Sequence, residues 1–390
     1  MKKPKIFALT LVLALCFGAL AACQDTQSTP SDTTDALAQE TETEQPTQEG
    51  TEVQTYDPTA LFEQTYSLLT DTEHFKHHGR LFTLADGLAC DHVMSGIEFE
   101  GVMYGEVKIT VDCDRDTYFT VFVDGEKADQ RFHAPAGACE LIVADFDTAE
   151  MHNVRLLKQT EPQFSLCTLK DVTLTGELSD APAQKPLYIE FLGDSITSGY
   201  GILGQSNSEN PGGVIWHDGT QTYAAQTALA LDADCSMISC SGIGISKGFP
   251  FFDMQQYYEK ASFFRDWTSE NSNHVFERVP DIVVINLGTN DYSQGATEQG
   301  MKDSIKKLIT FIRTVYGKDV PIVWVHNMMG DCRFEWTQVA LEELGGEQAG
   351  IYTVRASANH SGTHGHPNPT GHKAAARRLT EKINEILQAE

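Results

Sequence analysis

Apolar residues fall at every second position in Val107-Lys108-Ile109-Thr110-Val111, and more densely in Tyr118-Phe119-Thr120-Val121-Phe122-Val123. A period of two turns one side of an extended chain toward a core and the other toward water, so both stretches predict strands. Asp124-Gly125, directly after the second, predicts a hairpin turn. Shorter runs at 139–143, 153–157 and 172–174 are separated by polar turn residues, and no helical period intervenes. Residues 59–180 therefore predict a β-sandwich of the jelly-roll kind built from several short strands.

Beyond a link, Ala181-Pro182-Ala183-Gln184-Lys185-Pro186, the pattern changes. Leu187–Leu192, Ser236–Ser239, Asp281–Leu287 and Pro321–Val325 predict short apolar strands, with Glu190 a lone charge in the first. Residues 222–231, 305–316 and about 369–387 predict helices, the last amphipathic. Apolar strands alternating with helices predict a mainly parallel sheet covered on both faces, a three-layer α/β domain over 186–390. In such sheets reactive groups collect just past the carboxyl ends of the strands.

The first 58 residues follow neither pattern. Lys2, Lys3 and Lys5 precede an apolar run from Ile6 to Ala19, too short for a comfortable membrane span. Residues 1–23 predict an export signal to be set aside from the fold. Residues 24–58 are rich in Thr, Gln, Glu, Ser and Pro and carry no basic residue, which predicts a flexible acidic tether.

Composition narrows the function classes. Hydrophobic residues make up 41% of the 390, enough for sizeable cores. Asp and Glu number 55 against 28 Lys and Arg, a formal charge of −27, so no basic stripe is available for a nucleic acid. Seven cysteines follow Cys23, an odd number without a Cys-x-x-Cys pair, which argues against a zinc ribbon or a thioredoxin-type site. Most read as small buried hydrophobes. His74, His77 and His78 have no carboxylate or cysteine spaced to complete a metal site and read as a solvated face. No metal and no cofactor is expected.

Candidate chemistry lies at strand ends. Gly193-Asp194-Ser195-Ile196-Thr197 follows the first apolar strand and would place Ser195 at the start of a helix, where its N–H is unpaired. Taken alone the triplet reads rather as a turn with a capping serine. Ser241-Gly242-Ile243-Gly244-Ile245 and Gly288-Thr289-Asn290-Asp291 follow the next strands, and His364-Gly365-His366-Pro367-Asn368-Pro369-Thr370-Gly371-His372 precedes the last helix. Each has a bland alternative as packing glycine, turn former or loop histidine. All four in this order are hard to assign to turns alone.

The set resembles the SGNH (GDSL-like) hydrolase superfamily, whose markers Ser, Gly, Asn and His occur in that chain order. The resemblance implies a flavodoxin-like αβα hydrolase domain with Ser195 as nucleophile, His366 as base, and Ser195, Gly244 and Asn290 as oxyanion donors. Gly242 is the competing glycine, because Ser239 stands where an Asn usually fixes the register of that block. Asp291 reads as a turn residue. The whole chain is similar to carbohydrate esterase family 2, in which a jelly roll precedes an SGNH domain. That likeness implies a carboxylic ester hydrolase acting on acetylated carbohydrate such as xylan or glucomannan. Leu20-Ala21-Ala22-Cys23 resembles the lipobox of bacterial lipoproteins. This implies lipidation at Cys23 and a membrane contact through lipid alone, with the folded domains outside the cytoplasm.

One position departs from the superfamily. The Asp that usually orients the histidine is replaced by Thr363 and His364, so a serine–histidine dyad is expected. The ring would be oriented by a backbone carbonyl or polar side chain, by His364, or by a remote acid such as Asp331. Trp216, in the Gly/Asn-rich stretch 204–219, is a candidate sugar platform or an anchor for its own loop. Trp324 reads as core. Two rivals stay open: a non-catalytic carbohydrate-binding lipoprotein with a degraded site, and a lipase or thioesterase on the same fold.

Overall fold

The computed structural model describes residues 54–205, 213–249, 252–263 and 272–389. Cys23, the export signal and nearly all of the tether lie outside them, as does 206–212 of the loop before Trp216. Tyr56 already donates its N–H to Ala149 O at 2.8 Å, so the chain is docked before the expected end of the tether.

Ten strands make up the N-terminal half. They are β1 (Glu63–Ser67), β2 (Lys76–His78), β3 (Phe82–Leu84), β4 (Gly87–Cys90) and β5 (Gly96–Cys113), then β6 (Thr117–Val123), β7 (Glu126–Lys127), β8 (Phe132–Ala134), β9 (Gly137–Lys158) and β10 (Cys167–Leu178). Their pairings are antiparallel. Alternation along β5 sends Ile97, Phe99, Met103, Val107, Ile109 and Val111 into one core shared with Leu156 and Leu169. Positive φ at Asp124 (52°) and Gly125 (84°) forms the expected turn between β6 and β7.

The expectation of short strands fails at β5 (18 residues), at β10 (12 residues) and most of all at β9. Runs 139–143 and 153–157 belong to one 22-residue strand. Residues between them make a bulge: Asp147, Thr148 and Ala149 stand against Tyr104 alone, where the register with β5 slips. The histidines also differ from expectation. His78 is buried and lies 2.7 Å from the carboxylate of Glu98, while only His77 faces solvent on β2.

The C-terminal half is a five-stranded parallel sheet of β11 (Tyr188–Gly193), β12 (Asp234–Ser239), β13 (Ile282–Asn286), β14 (Ile322–His326) and β15 (Ile351–Arg355). Its order is β12-β11-β13-β14-β15, which places β11 between strands reached in opposite directions. The helices are α1 (Ser195–Ser198), α2 (Tyr223–Ala230), α3 (Met254–Tyr258), α4 (Thr289–Ser293), α5 (Glu298–Tyr316), α6 (Phe334–Glu343) and α7 (Pro369–Ala389). Successive strand residues alternate between two cores. Leu192, Ile285 and Trp324 pack with α3, α5 and α6, and Phe191, Val284 and Val325 with α2 and α7. This is the three-layer arrangement, and Trp324 is core as read. Helix α5 starts seven residues before the apolar period does, because Thr297 caps it by accepting the Gly300 N–H at 3.1 Å.

Buried polar contacts join the halves. Arg80 donates to Tyr258 O (2.6 Å) and Lys260 O (2.9 Å) and lies 3.3 Å from Glu190. The Asp91 carboxylate accepts from Ser262 Oγ and the Phe263 N–H. All seven described cysteines are free, with Cys90, Cys113 and Cys167 side by side on β4, β5 and β10. Among the described residues no helix is long and apolar enough to cross a membrane.

Candidate active site

Strand order sets where the site lies. Neighbours of β11 are approached from opposite sides, so the crevice opens past the carboxyl ends of β11 and β13. Ser195 follows β11 and Asn290 follows β13.

Ser195 is the first residue of the one-turn helix α1, capped by Asp194, whose Oδ1 accepts the Ile196 N–H at 3.0 Å. Its own N–H therefore has no helical acceptor. Ser195 Oγ lies 2.8 Å from His366 Nε2, and His366 Nδ1 lies 3.0 Å from Thr363 O. A carbonyl only accepts, so Nδ1 carries the proton and Nε2 is left to accept from the serine. The group that orients the ring is thus a backbone carbonyl. Neither His364 nor Asp331 does so; the Asp331 charge acts on His326 instead.

The loop that supplies this carbonyl is pinned to the segment that follows α1. The Thr363 N–H donates to Gly201 O at 3.1 Å, and Gly362 N–H to His366 O at 2.9 Å. Gly201 has φ +61°, and a Cβ there would lie 2.6 Å from Thr363 Cβ, so a side chain would push the two loops apart. His364 and Gly365 both adopt left-handed backbone (φ 54° and 75°), which turns the chain sharply before His366. Burial leaves an imidazolium poorly solvated and pushes His366 down to about 4, against the opposing effect of the Thr363 carbonyl.

Residues 241–247 form the glycine loop. Gly242 (φ 84°) closes a turn in which Ile243 N–H donates to Cys240 O at 3.2 Å. Gly244 is buried and packed so tightly that a Cβ would fall 1.6 Å from Lys247 O. Asn290 Nδ2 donates to Ile243 O at 2.8 Å and makes a longer contact, 3.4 Å, to Asp194 Oδ2. Asp291 is more than a turn residue. Fully buried, it accepts from the N–H groups of Ile245 (2.9 Å), Ser246 (2.6 Å) and Lys247 (2.8 Å) and from Ser246 Oγ (2.9 Å).

Three further residues enter the site. Tyr200 packs its ring 4.8 Å from His366 and 4.7 Å from His217. His217 is wholly buried, and the backbone carbonyls of Ile215 and His217 accept from Arg131 of the β half at 2.7 Å each. Glu161, from the β9–β10 loop, accepts from the Ser241 N–H and Oγ. Burial pushes Glu161 and Asp194 both up to about 7. Trp216 closes the short turn Val214–Trp216 and is half-buried; its neighbour His217 is the one packed against the site. Tyr200 lies only five residues past Ser195, whereas nothing in the sequence pairs Glu161 with Ser241, 80 residues away.

Comparison with known proteins agrees with this architecture. Residues 191–374 match the GDSL-like Lipase/Acylhydrolase family and residues 77–182 match the Carbohydrate esterase 2 N-terminal family. The chain is 27% identical over 334 residues to a cellulase/esterase, CelE, of Acetivibrio thermocellus, covering 81% of this chain and 40% of that protein. It is 22% identical over 343 residues to an acetylxylan esterase / glucomannan deacetylase of Cellvibrio japonicus, covering 84% and 93%. The structure of a family two carbohydrate esterase from Clostridium thermocellum in complex with cellohexaose superposes with a TM-score of 0.72 at 26% identity, over 80% of this chain and 99% of that one. A Carbohydrate esterase 2 N-terminal region thus precedes a GDSL-like acylhydrolase region, and the chain is similar over 80% of its length to family 2 carbohydrate esterases.

Proposed function

We propose that this protein is a serine esterase that removes O-acetyl groups from a carbohydrate through an acetyl-enzyme on Ser195. The observation that carries the reading is the continuous chain from Ser195 Oγ through the His366 ring to Thr363 O, at 2.8 and 3.0 Å. His366 Nε2 takes the hydroxyl proton as Oγ attacks the acetyl carbonyl. The imidazolium that forms is held by the Thr363 carbonyl, and its proton passes to the departing sugar hydroxyl. Water then attacks the acetyl-enzyme by the same route in reverse, releasing acetate.

The N–H groups of Ser195 and Gly244 and the amide of Asn290 are the donors for the oxyanion. A carboxamide has two hydrogens. One stays on Ile243 O, and the other exchanges its long contact to Asp194 for the developing charge. Relatives named for acetylxylan and glucomannan deacetylation support an acetylated plant-type polysaccharide as substrate. Export and anchoring through a lipid on Cys23 complete the proposal, supported by the apolar run and the Leu-Ala-Ala-Cys sequence.

Acetate release from acetylated xylan, glucomannan and an aryl acetate should be abolished by Ser195→Ala, with an unchanged thermal unfolding curve. A fluorophosphonate should label the wild type and not the variant. Turnover retained by Ser195→Ala removes the nucleophile from its role, and polysaccharide binding without labelling of the wild type favours a non-catalytic module. Incorporation of a palmitate analogue, lost in Cys23→Ser, tests the anchor.

A further inference from the structure

The glycine loop is gripped along its whole length. At its middle Asn290 holds Ile243 O, and downstream Asp291 holds Ile245, Ser246 and Lys247. Upstream the grip comes from the other domain: Glu161 accepts from the Ser241 N–H at 2.5 Å and from Ser241 Oγ at 2.7 Å. Glu161 is wholly buried, where an apolar side chain of similar size would often pack with no loss of stability. A carboxylate offers what such a side chain lacks, two acceptor oxygens that hold an N–H and a hydroxyl in one plane. Gln163 adds a third donor and the Lys158 charge lies nearby, which together make the burial tolerable. Oε1 also lies 3.8 Å from Nδ1 of His217, the ring edge-on to Tyr200, which in turn packs on His366.

We infer that Glu161 of the β domain is a positioning residue for the esterase reaction, fixing through Ser241 the loop whose glycine N–H receives the oxyanion. The inference rests on the proposed acetylesterase reading of Ser195. It gives the N-terminal domain a part in turnover. Because the loop's N–H matters only as charge develops on the carbonyl oxygen, loosening it acts on kcat and leaves KM nearly untouched.

The test uses the full chain on an aryl acetate. In Glu161→Gln one acceptor oxygen becomes a donor, and kcat should fall about 10- to 100-fold with KM within about twofold, less than the loss of a whole donor. Ser241→Ala keeps the N–H contact without burying a new group, so it should fold and lose a smaller part of kcat. The double variant should be no slower than Glu161→Gln within about twofold, because the two side chains act through one contact. Wild-type kcat in Glu161→Gln, or losses that multiply independently in the double variant, would overturn the inference while leaving Ser195 in its role. A wild type inert toward both acetyl esters and the fluorophosphonate would sink the esterase reading and this inference with it.

Discussion

In the proposed reaction the base must be neutral at rest and cationic only in the transition state, and the surroundings of His366 favour the neutral ring. With the group pushed down to about 4, it is ready to accept a proton throughout the neutral range. The acid limb of kcat/KM on an aryl acetate should therefore have its midpoint near 4, well below the ordinary histidine value. A single steep limb near 6.5 would show His366 exposed to water. Glu161 and Asp194, held up to about 7 by burial, add a shallower change near neutrality, and Glu161→Gln should remove its share while leaving the lower limb. The stability signs oppose each other. His366 titrates lower folded than unfolded, so its contribution is present above 6.5 and is lost as pH falls through about 4. The two carboxyls titrate higher folded than unfolded, so theirs is present below the usual carboxylate range and is lost as pH rises through about 7. Ser195, Asn290 and His366 could be found from sequence because their neighbours form local motifs. Thr363 could not, since every residue has a carbonyl and only the left-handed turn at His364 and Gly365 aims this one.

At the scale of elements, Asp291 shows how one side chain shapes a loop. Replacing it with Asn leaves one acceptor oxygen for four donors and sets an NH₂ against backbone N–H groups. Unpaired buried donors cost about 1–3 kcal/mol each. Asp291→Asn should therefore lower unfolding free energy by about 2–4 kcal/mol and kcat by about 100-fold. Denaturant titration and steady-state kinetics on the same preparation check both. A variant of wild-type stability with wild-type kcat would show that the loop holds its shape without Asp291. The parallel strands were legible because burial on both faces leaves short apolar runs. Strand β9 was not, because a bulge and a turn use the same polar residues, and only pairing with β5 tells them apart. Strand β15 lies at the sheet edge with just Ile351 and Val354 buried, too little pattern to stand out.

Over the whole molecule, Glu190 is the charge that broke an otherwise apolar strand, and its partner comes from the other half of the chain. Arg80 lies 3.3 Å away on a nearly inaccessible pair, while Tyr258 and Tyr316 hydroxyls donate to the other oxygen. A pairing across 110 residues leaves no trace in local sequence. It does tie the domains to each other, together with the Lys76–Asp234 pair at 2.8 Å and Val93, a β-half residue packed in a core of the parallel sheet. Calorimetry should show one unfolding transition, since neither half can unfold without stranding buried charge in the other. Arg80→Met removes the cation and leaves Glu190 with two hydroxyls, at a cost of about 3–5 kcal/mol. That cost should lower the single transition as a unit, and adding Glu190→Gln, which removes the stranded charge, should restore much of it. Two resolved transitions in the wild type, or an Arg80→Met protein of unchanged stability, would mean that the halves fold separately and that the buried pair contributes nothing to their union.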